Sequence, residues 1–451
     1  MSLINDSKKI ITEMSSIPLY FLNNRKYFRV LQDQLRSVID EEIYSKMDSK
    51  TARKHKSDMS ININYLQKIV NKLQVYNFDV TRTPSTNSDL FDYLSSKIHP
   101  DTQMSRGSDL YNASKSTLIK VYLDSKNNIK WKPLPNDRYY LWTDDVVEDN
   151  VAKVVVEVIK TIDVIDPNNN RKTGQADLLF MWSKTEFLAI DTTGKIHLEY
   201  MKENNGKNLY NFLPFVHINK DSYNILPSTD LDTLNNILQI NSILTDANVG
   251  NYFHVFPKLV AKNIDATECK FSANADDIIV LNSGEGSDKD PSLDVVSSGL
   301  DTTKSTDLAK EIMQALLDAK GLVAKDATSG VSNKSGLSQM IENTDTTEVR
   351  KTNIQNFKPA EHELWEISAK MHNYLIDNKI NDMPKNAPKK KFNDSFEVDV
   401  DFETVNTMIE DQKDLNTTNN TDPNNTDNKD PNNTDNKDQG NNNGDTAKES
   451  L

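Results

Sequence analysis

Apolar residues return at helical spacing over most of residues 300–377, the longest such pattern in the chain. Within 302–323, Leu308, Ile312, Met313, Leu316 and Leu317 fall three and four apart, which predicts an amphipathic helix. Small and polar residues interrupt it over 324–333, with Gly330 inside the break. A second helical pattern opens at Lys334 and continues for roughly 40 residues, on the order of 60 Å of helix. Leu337, Met340, Ile341, Val349, Ile354, Phe357, Leu364, Ile367, Met371 and Leu375 carry it. Pro359 lies inside, where it removes a backbone donor and crowds the carbonyl four residues back, so a bend is predicted near Asn356. Helices of compact domains usually run three or four turns. A longer one is either a single long helix of an α-rich domain or a strut between layers of an assembly.

The rest of the chain alternates between two periods. Residues 1–115 read as helical, with Phe28, Leu31, Leu35, Val38 and Ile39 on one face of 27–43. Leu66, Ile69, Val70 and Leu73 form another stripe before Pro84, and a charged, exposed stretch (46–56) separates the two. Over 117–201 the period changes to that of strands. TLIKVYL, NIKWKPL, AKVVVEVIKTIDVI, ADLLFMWS, TEFLAID and KIHLEYM predict an antiparallel meander of about six strands. Turn residues divide them at 125–128, 135–136, 167–170 and 192–194, with Thr193-Gly194 a hairpin tip. Trp131, Trp142 and Trp182 fall on these strands as core aromatics. Ser228 or Thr229 then caps a helix in which Leu231, Leu234, Ile237, Leu238, Asn241, Leu244 and Asn248 recur to about Phe253. Short strands around a Gly-Ser-Asp-Lys loop occupy 254–300, and another short strand covers 396–402. The tail, 411–451, holds the octamer DPNNTDNK twice in succession and almost no apolar side chain, so it is predicted to be disordered.

Composition narrows the chemistry. The chain has 451 residues and one cysteine, Cys269, so neither an intrachain disulfide nor a cysteine-rich zinc site can form. No run of 18 apolar residues is present, which argues against a membrane span, and the first sixteen residues lack the charged and apolar blocks of a secretory signal. The net charge is −14, from 67 acidic against 53 basic residues, the opposite of a protein that grips nucleic acid through phosphates. Any DNA partner is then expected to pass rather than stay. GVSNKSGLS (330–338) has glycines near phosphate-loop positions but lacks the Lys-Ser/Thr pair. His362-Glu363 belongs to no two-histidine metal motif. Asp399 and Asp401 share one face of a strand and could take a cation, although an exposed strand face explains them as well. No nucleophile, acid-base pair or cofactor loop stands out, and the expectation is a non-enzyme without cofactor or metal.

The order of these elements resembles that of tailed-bacteriophage portal proteins. Four stretches carry the resemblance: the helix ending in an aromatic with its Thr-Pro exit (64–84), LPNDRYYLWTDD before AKVVVEV, the Leu-Pro strand and Pro-Ser-Thr-Asp turn before a helix with interior asparagines, and Ser329-Gly330-Val331-Ser332 followed by Leu337, Met340 and Ile341. The resemblance implies an α+β fold with N-terminal helices and a β-rich α/β wing holding an antiparallel sheet (1–229). Two stem helices (230–253 and 301–323) would bracket a small β clip (254–300). A tunnel loop (324–333), a long kinked wing helix (334–377), a short C-terminal wing or crown (378–410) and the disordered tail (411–451) would follow. It further implies a homo-oligomeric ring of about twelve copies at one capsid vertex, closed by head-to-tail contacts. Double-stranded DNA would pass through without sequence-specific binding during packaging and ejection. The major capsid protein and scaffold, a terminase packaging ATPase and head-tail adaptor proteins would be its other partners, and the virion its location, after assembly in the host cytoplasm. Lys325, Asp326, Ser329, Ser332, Asn333 and Lys334 would face the channel. Asp276, Asp277, Glu285, Asp288, Lys289 and Asp290 would form the motor and adaptor surface of the clip, and Pro359 the kink. The clip is short and the region after the long helix small for the family. The alternative is a non-enzymatic cytosolic α+β protein that binds another protein through its helices and a disordered tail.

Overall fold

The helices of the N-terminal region, the one at Lys50–Asp58 excepted, each cover an apolar stripe. The computed structural model describes residues 3–402 except 77–79, 144–151, 166–171, 203, 222–223, 228, 256–257, 263–278, 282–291, 297–301, 323–335 and 394–395. Side chains are described outside 165, 253–255, 258–262, 279–281, 292–296 and 336–347. Helices α1 (Leu3–Ser16) and α2 (Pro18–Leu31) meet at Ile17, and Pro18 opens α2 where a missing N–H leaves no bond unmade. Helix α3 (Leu35–Glu42) follows. The single face predicted over 27–43 is therefore split. Asp33 adopts a left-handed φ of 65° and turns the chain between α2 and α3, yet Tyr27, Val30, Leu35, Val38 and Ile39 still share one core. Helix α4 (Lys50–Asp58) is capped by Ser49, whose hydroxyl accepts from the Ala52 N–H at 3.2 Å, and it buries no side chain. Helix α5 (Tyr65–Lys72) is capped by Asn64 in the same manner.

Strand β1 (Val80–Pro84) and helices α6 (Ser88–Ile98) and α7 (Pro100–Ser114) lead into the sheet region. There β2 (Ser116–Leu123), β3 (Ile129–Leu134), β4 (Tyr139–Trp142), β5 (Val154–Ile165), β6 (Lys172–Trp182), β7 (Phe187–Asp191) and β8 (Phe215–Asn219) are all antiparallel. The predicted meander becomes two sheets, β3-β2-β8 and β4-β5-β6-β7. Asn136 holds the turn between them, because its buried amide donates to the Ser116 hydroxyl at 2.8 Å and accepts from the Tyr139 hydroxyl at 2.8 Å. The expected last strand, KIHLEYM, is instead a tight helical turn at Leu198–Tyr200. Thr193-Gly194 does form the turn, with Gly194 at φ 91°, but beyond it only Ile190 and Ile196 bridge. Asp191 gathers the Thr193 N–H at 2.9 Å, the Lys195 N–H at 3.0 Å and the His197 ring at 3.0 Å, and these local bonds displace the ladder.

Helix α8 (Leu231–Val255) follows β8, and β9 (Lys258–Lys262), β10 (Ile279–Leu281) and β11 (Ser292–Val296) form a small sheet in the order β10-β9-β11. Helix α9 (Thr302–Asp318) and the 44-residue helix α10 (Gly336–Lys379) come next, and β12 (Val398–Phe402) returns to pair with β1. Helix α10 stays helical on both sides of Pro359, which lies on its exposed side. Its inner face, Phe357, Leu364, Trp365, Met371 and Leu375, packs on α6, α7, the β3-β2-β8 sheet and β12. Trp365 is fully buried and meets Trp131 at 5.0 Å and Phe91 at 4.8 Å between ring centres, contacts worth about 1 kcal/mol each beyond area burial. A second core joins α2, α3 and α5 to α8 and α9, and in a third α1 lies on the β4-β5-β6-β7 sheet through Leu3, Ile10 and Met14. The described residues belong to one unit, Met1–Glu403, and none of their helices is long and apolar enough to cross a membrane. The tail predicted to be disordered lies outside the described residues.

Candidate functional site

Helices α8 and α9 pack on each other and bracket the β9–β11 sheet. They run antiparallel, since Lys320, just after α9, forms an ion pair with Asp230, just before α8. Asp230 joins several parts at once. Its carboxylate accepts from the Thr233 hydroxyl at 3.0 Å, as a cap does, and its backbone carbonyl accepts from the Tyr27 hydroxyl. Burial pushes the Asp230 carboxyl up, but Lys320 and Thr233 outweigh it, so the group stays below the usual carboxylate range.

The interior asparagines of α8 prove to be a clamp. Asn241 is fully buried; its side chain accepts from the Ile63 N–H at 2.7 Å and donates to the Ile63 carbonyl at 3.1 Å. One turn on, the Thr245 hydroxyl accepts from the Ile61 N–H at 2.9 Å, and Asn248 donates to the Met59 carbonyl at 3.0 Å. Three side chains at spacings of four and three thus satisfy the backbone of an extended segment (59–63) that has no strand partner. Sequence periodicity placed Asn241 and Asn248 on the helix but gave them no task. The available signal was polar residues at core-facing positions.

Helix α9 shows a different imbalance. Ala309 and Leu316 are buried and belong to the face toward α8, whereas Leu308 is 47% exposed and Ala315 is exposed, with Ile312 between them half-buried. Leu308, Ile312 and Ala315 lie four and three residues apart and form a second apolar stripe that nothing in the described chain covers.

The channel residues Lys325, Asp326, Ser329, Ser332, Asn333 and Lys334 lie outside the described residues, as do Asp276, Asp277, Glu285, Asp288, Lys289 and Asp290 of the clip surface. Both sets fall between described elements: the first joins α9 to α10, the second lies before and after β10. Pro359 is inside α10 as expected. Asp399 and Asp401, the candidate cation pair, are occupied by the chain itself, because the Lys358 ammonium lies 3.2 and 3.1 Å from their carboxylates. Trp131 and Trp142 are buried and Trp182 is half-buried, and the Trp182 indole N–H donates to Glu157 at 3.0 Å.

A cleft of about 540 Å³ opens where both sheets meet α10, lined by Leu118, Phe215, His217, Lys184, Glu366 and Lys370 among others. Burial pushes the His217 imidazole down to about 4, so the ring is neutral, and its Nε2 has no partner among the described residues. Glu366 and Lys370 pair at 2.6 Å. Burial and the neighbouring Glu366 carboxylate push the Glu363 carboxyl, also in the lining, up, and no hydroxyl or thiol is among the lining residues. Among the described residues no group of three or more His, Cys, Asp or Glu could hold a metal ion. No protein-family model matches the chain, and no curated protein matches it.

Proposed function

We propose that this chain is the portal protein of a tailed double-stranded DNA phage or related prophage, a ring of about twelve copies at one capsid vertex. DNA passes through it during packaging and ejection, and the packaging motor and later the tail dock on it. One observation carries the reading: an antiparallel helix pair brackets a small sheet and leads, through a short connection, into a 44-residue helix with an internal proline. The uncovered stripe of Leu308, Ile312 and Ala315 supports it, since a helix with two apolar faces needs a second surface and a neighbouring copy supplies one. In this reading α8 and α9 form the stem, β9–β11 the clip and α10 the wing strut, while the 324–333 connection faces the channel. The chain does no chemistry; a separate ATPase moves the DNA.

Light scattering on the purified chain tests this. The monomer is 51.2 kDa, so a closed ring of about twelve copies has a mass near 600 kDa. Leu308→Glu should give monomers with an unchanged far-UV circular dichroism spectrum. A wild-type chain that stays at the monomer mass up to assembly concentrations, or particles without a central pore under the electron microscope, would refute the proposal.

A further inference from the structure

A concentrated run of positive charge sits on a helix the conduit reading does not use. Between residues 46 and 58 there are five lysines or arginines, Lys46, Lys50, Arg53, Lys54 and Lys56, against two aspartates, Asp48 and Asp58, in a chain of net charge −14. This segment includes α4, which contributes no buried side chain and so has no packing reason to be a helix. Other contacts hold it in place. Ser49 caps it, the Arg53 guanidinium donates to the Met47 carbonyl at 2.6 Å, Lys56 pairs with Asp246 of α8 at 2.6 Å, and Arg36 of α3 donates to the Ser57 carbonyl at 3.0 Å. Lys46 pairs with Glu42 at 3.2 Å. Lys50 and Lys54 are left: both are exposed, one turn apart on the same side, and make no ion pair among the described residues. The first turn of α4 carries no acidic residue, so the positive end of the helix is not neutralised there.

We infer that the exposed side of α4 is a contact for the phosphate backbone of nucleic acid, without sequence preference. An acidic protein surface would offer the same charge, but the core of a protein interface is normally built on aromatic and other apolar anchors. The α4 segment has no phenylalanine, tyrosine or tryptophan; beside its cations stand Ser49 and Thr51, and hydroxyl and ammonium donors suffice for phosphate oxygens. The inference stands apart from the ring, because it concerns a surface complete within one copy.

Fluorescence anisotropy of a labelled random-sequence duplex with the full-length chain, across a salt series, tests it. Two phosphate contacts, one each for Lys50 and Lys54, predict a plot of log K against log[salt] with a slope of about −2, since each contributes about −0.9. The double variant Lys50→Glu, Lys54→Glu should reduce the slope by about 2 and weaken binding at low salt by more than about tenfold. Neither side chain is buried, so this variant should keep the wild-type circular dichroism spectrum and melting temperature. Equal affinity of the variant and wild type for the duplex would overturn the inference. So would the absence of duplex binding at low salt, or tighter binding to a poly-glutamate peptide than to the duplex, which would make α4 a protein contact.

Discussion

Replacing Glu361 by alanine should cost about 5 kcal/mol, an amount that follows from how completely its carboxylate is used. Glu361 lies on α10 with 0% exposure, in an ion pair with the Arg82 Nε of β1. It also accepts from the Tyr76 hydroxyl at 2.7 Å and, less closely, from the Trp365 indole at 3.4 Å. Arg82 is itself only 7% exposed and would keep one anion, Asp101, at 2.6 Å; that aspartate is 74% exposed and therefore well screened. Breaking a buried pair by removing one partner costs about 3–5 kcal/mol, and leaving the Tyr76 hydroxyl without its acceptor adds about 1 kcal/mol. Urea unfolding followed by tryptophan fluorescence would measure this, since Trp365 stands one helical turn from Glu361. The double replacement Arg82→Met, Glu361→Leu, which removes both charges, should cost less than Glu361→Ala alone. A loss below about 1.5 kcal/mol in the single variant, or a double variant as weak as the sum of its singles, would refute the reasoning.

Asn241→Leu should destabilise by about 1–3 kcal/mol, because it leaves the Ile63 N–H unpaired while the Ile63 carbonyl keeps the Tyr65 N–H, and hydrogen exchange should speed up at the Ile63 amide; Thr245→Val should do so at Ile61 instead. His217 makes stability depend on pH. Its folded value of about 4 lies below the usual 6.5, so the unfolded chain binds the extra proton first and stability falls as pH drops from 6.5 towards 4, by at most about 3 kcal/mol. His217→Gln should flatten that fall by the same amount. Asp109, pushed up to about 6 by burial, titrates in both proteins and cancels in the difference. An unchanged profile in the variant would place the acid sensitivity elsewhere.

Where apolar side chains alone set the period, the fold could be read from the sequence. Leu66, Ile69, Val70 and Leu73 define α5 and its buried face, and the pattern entered at Lys334 ends within two residues of the observed end of α10. The α8–sheet–α9 succession was also legible, because strand-forming runs stand between two helical stripes. The misreadings have a common cause. Asp33 breaks a stripe that apolar spacing alone would continue, Asn136 separates two sheets, and Asp191 turns an expected strand into a local turn. In each case a polar side chain or a left-handed backbone redirects the chain, and hydrophobic periodicity carries no information about that. The candidate site divides in the same way: the helix pair was visible, while the clamp of Asn241, Thr245 and Asn248 depends on an extended segment roughly 180 residues away in sequence, a separation that no local window spans.

Helix α10 shows what such polar positions accomplish. Its apolar spacing is loose because four buried positions on its inner side are polar: Asn353, Glu361, Ser368 and His372, each at most 1% exposed. Each is tied to a different part of the chain. Asn353 donates to Asn112 of α7 at 3.2 Å, Glu361 takes Arg82 of β1, Ser368 accepts from the Trp131 indole of β3 at 2.9 Å, and the His372 ring lies 3.2 Å from the Lys390 carbonyl. An apolar face alone would tolerate a slide of one turn, since leucine replaces leucine with little loss. Polar contacts to three elements and one loop do not, because any slide would strand all of them without partners in a dry core. Pro359 sits between the first and second of these contacts, so the stretch of helix it weakens is fixed from both sides. A long helix with its register set in this way can transmit a displacement at one end to the other as a rigid body, which a strut in the proposed ring requires and a helix held only by grease would not guarantee.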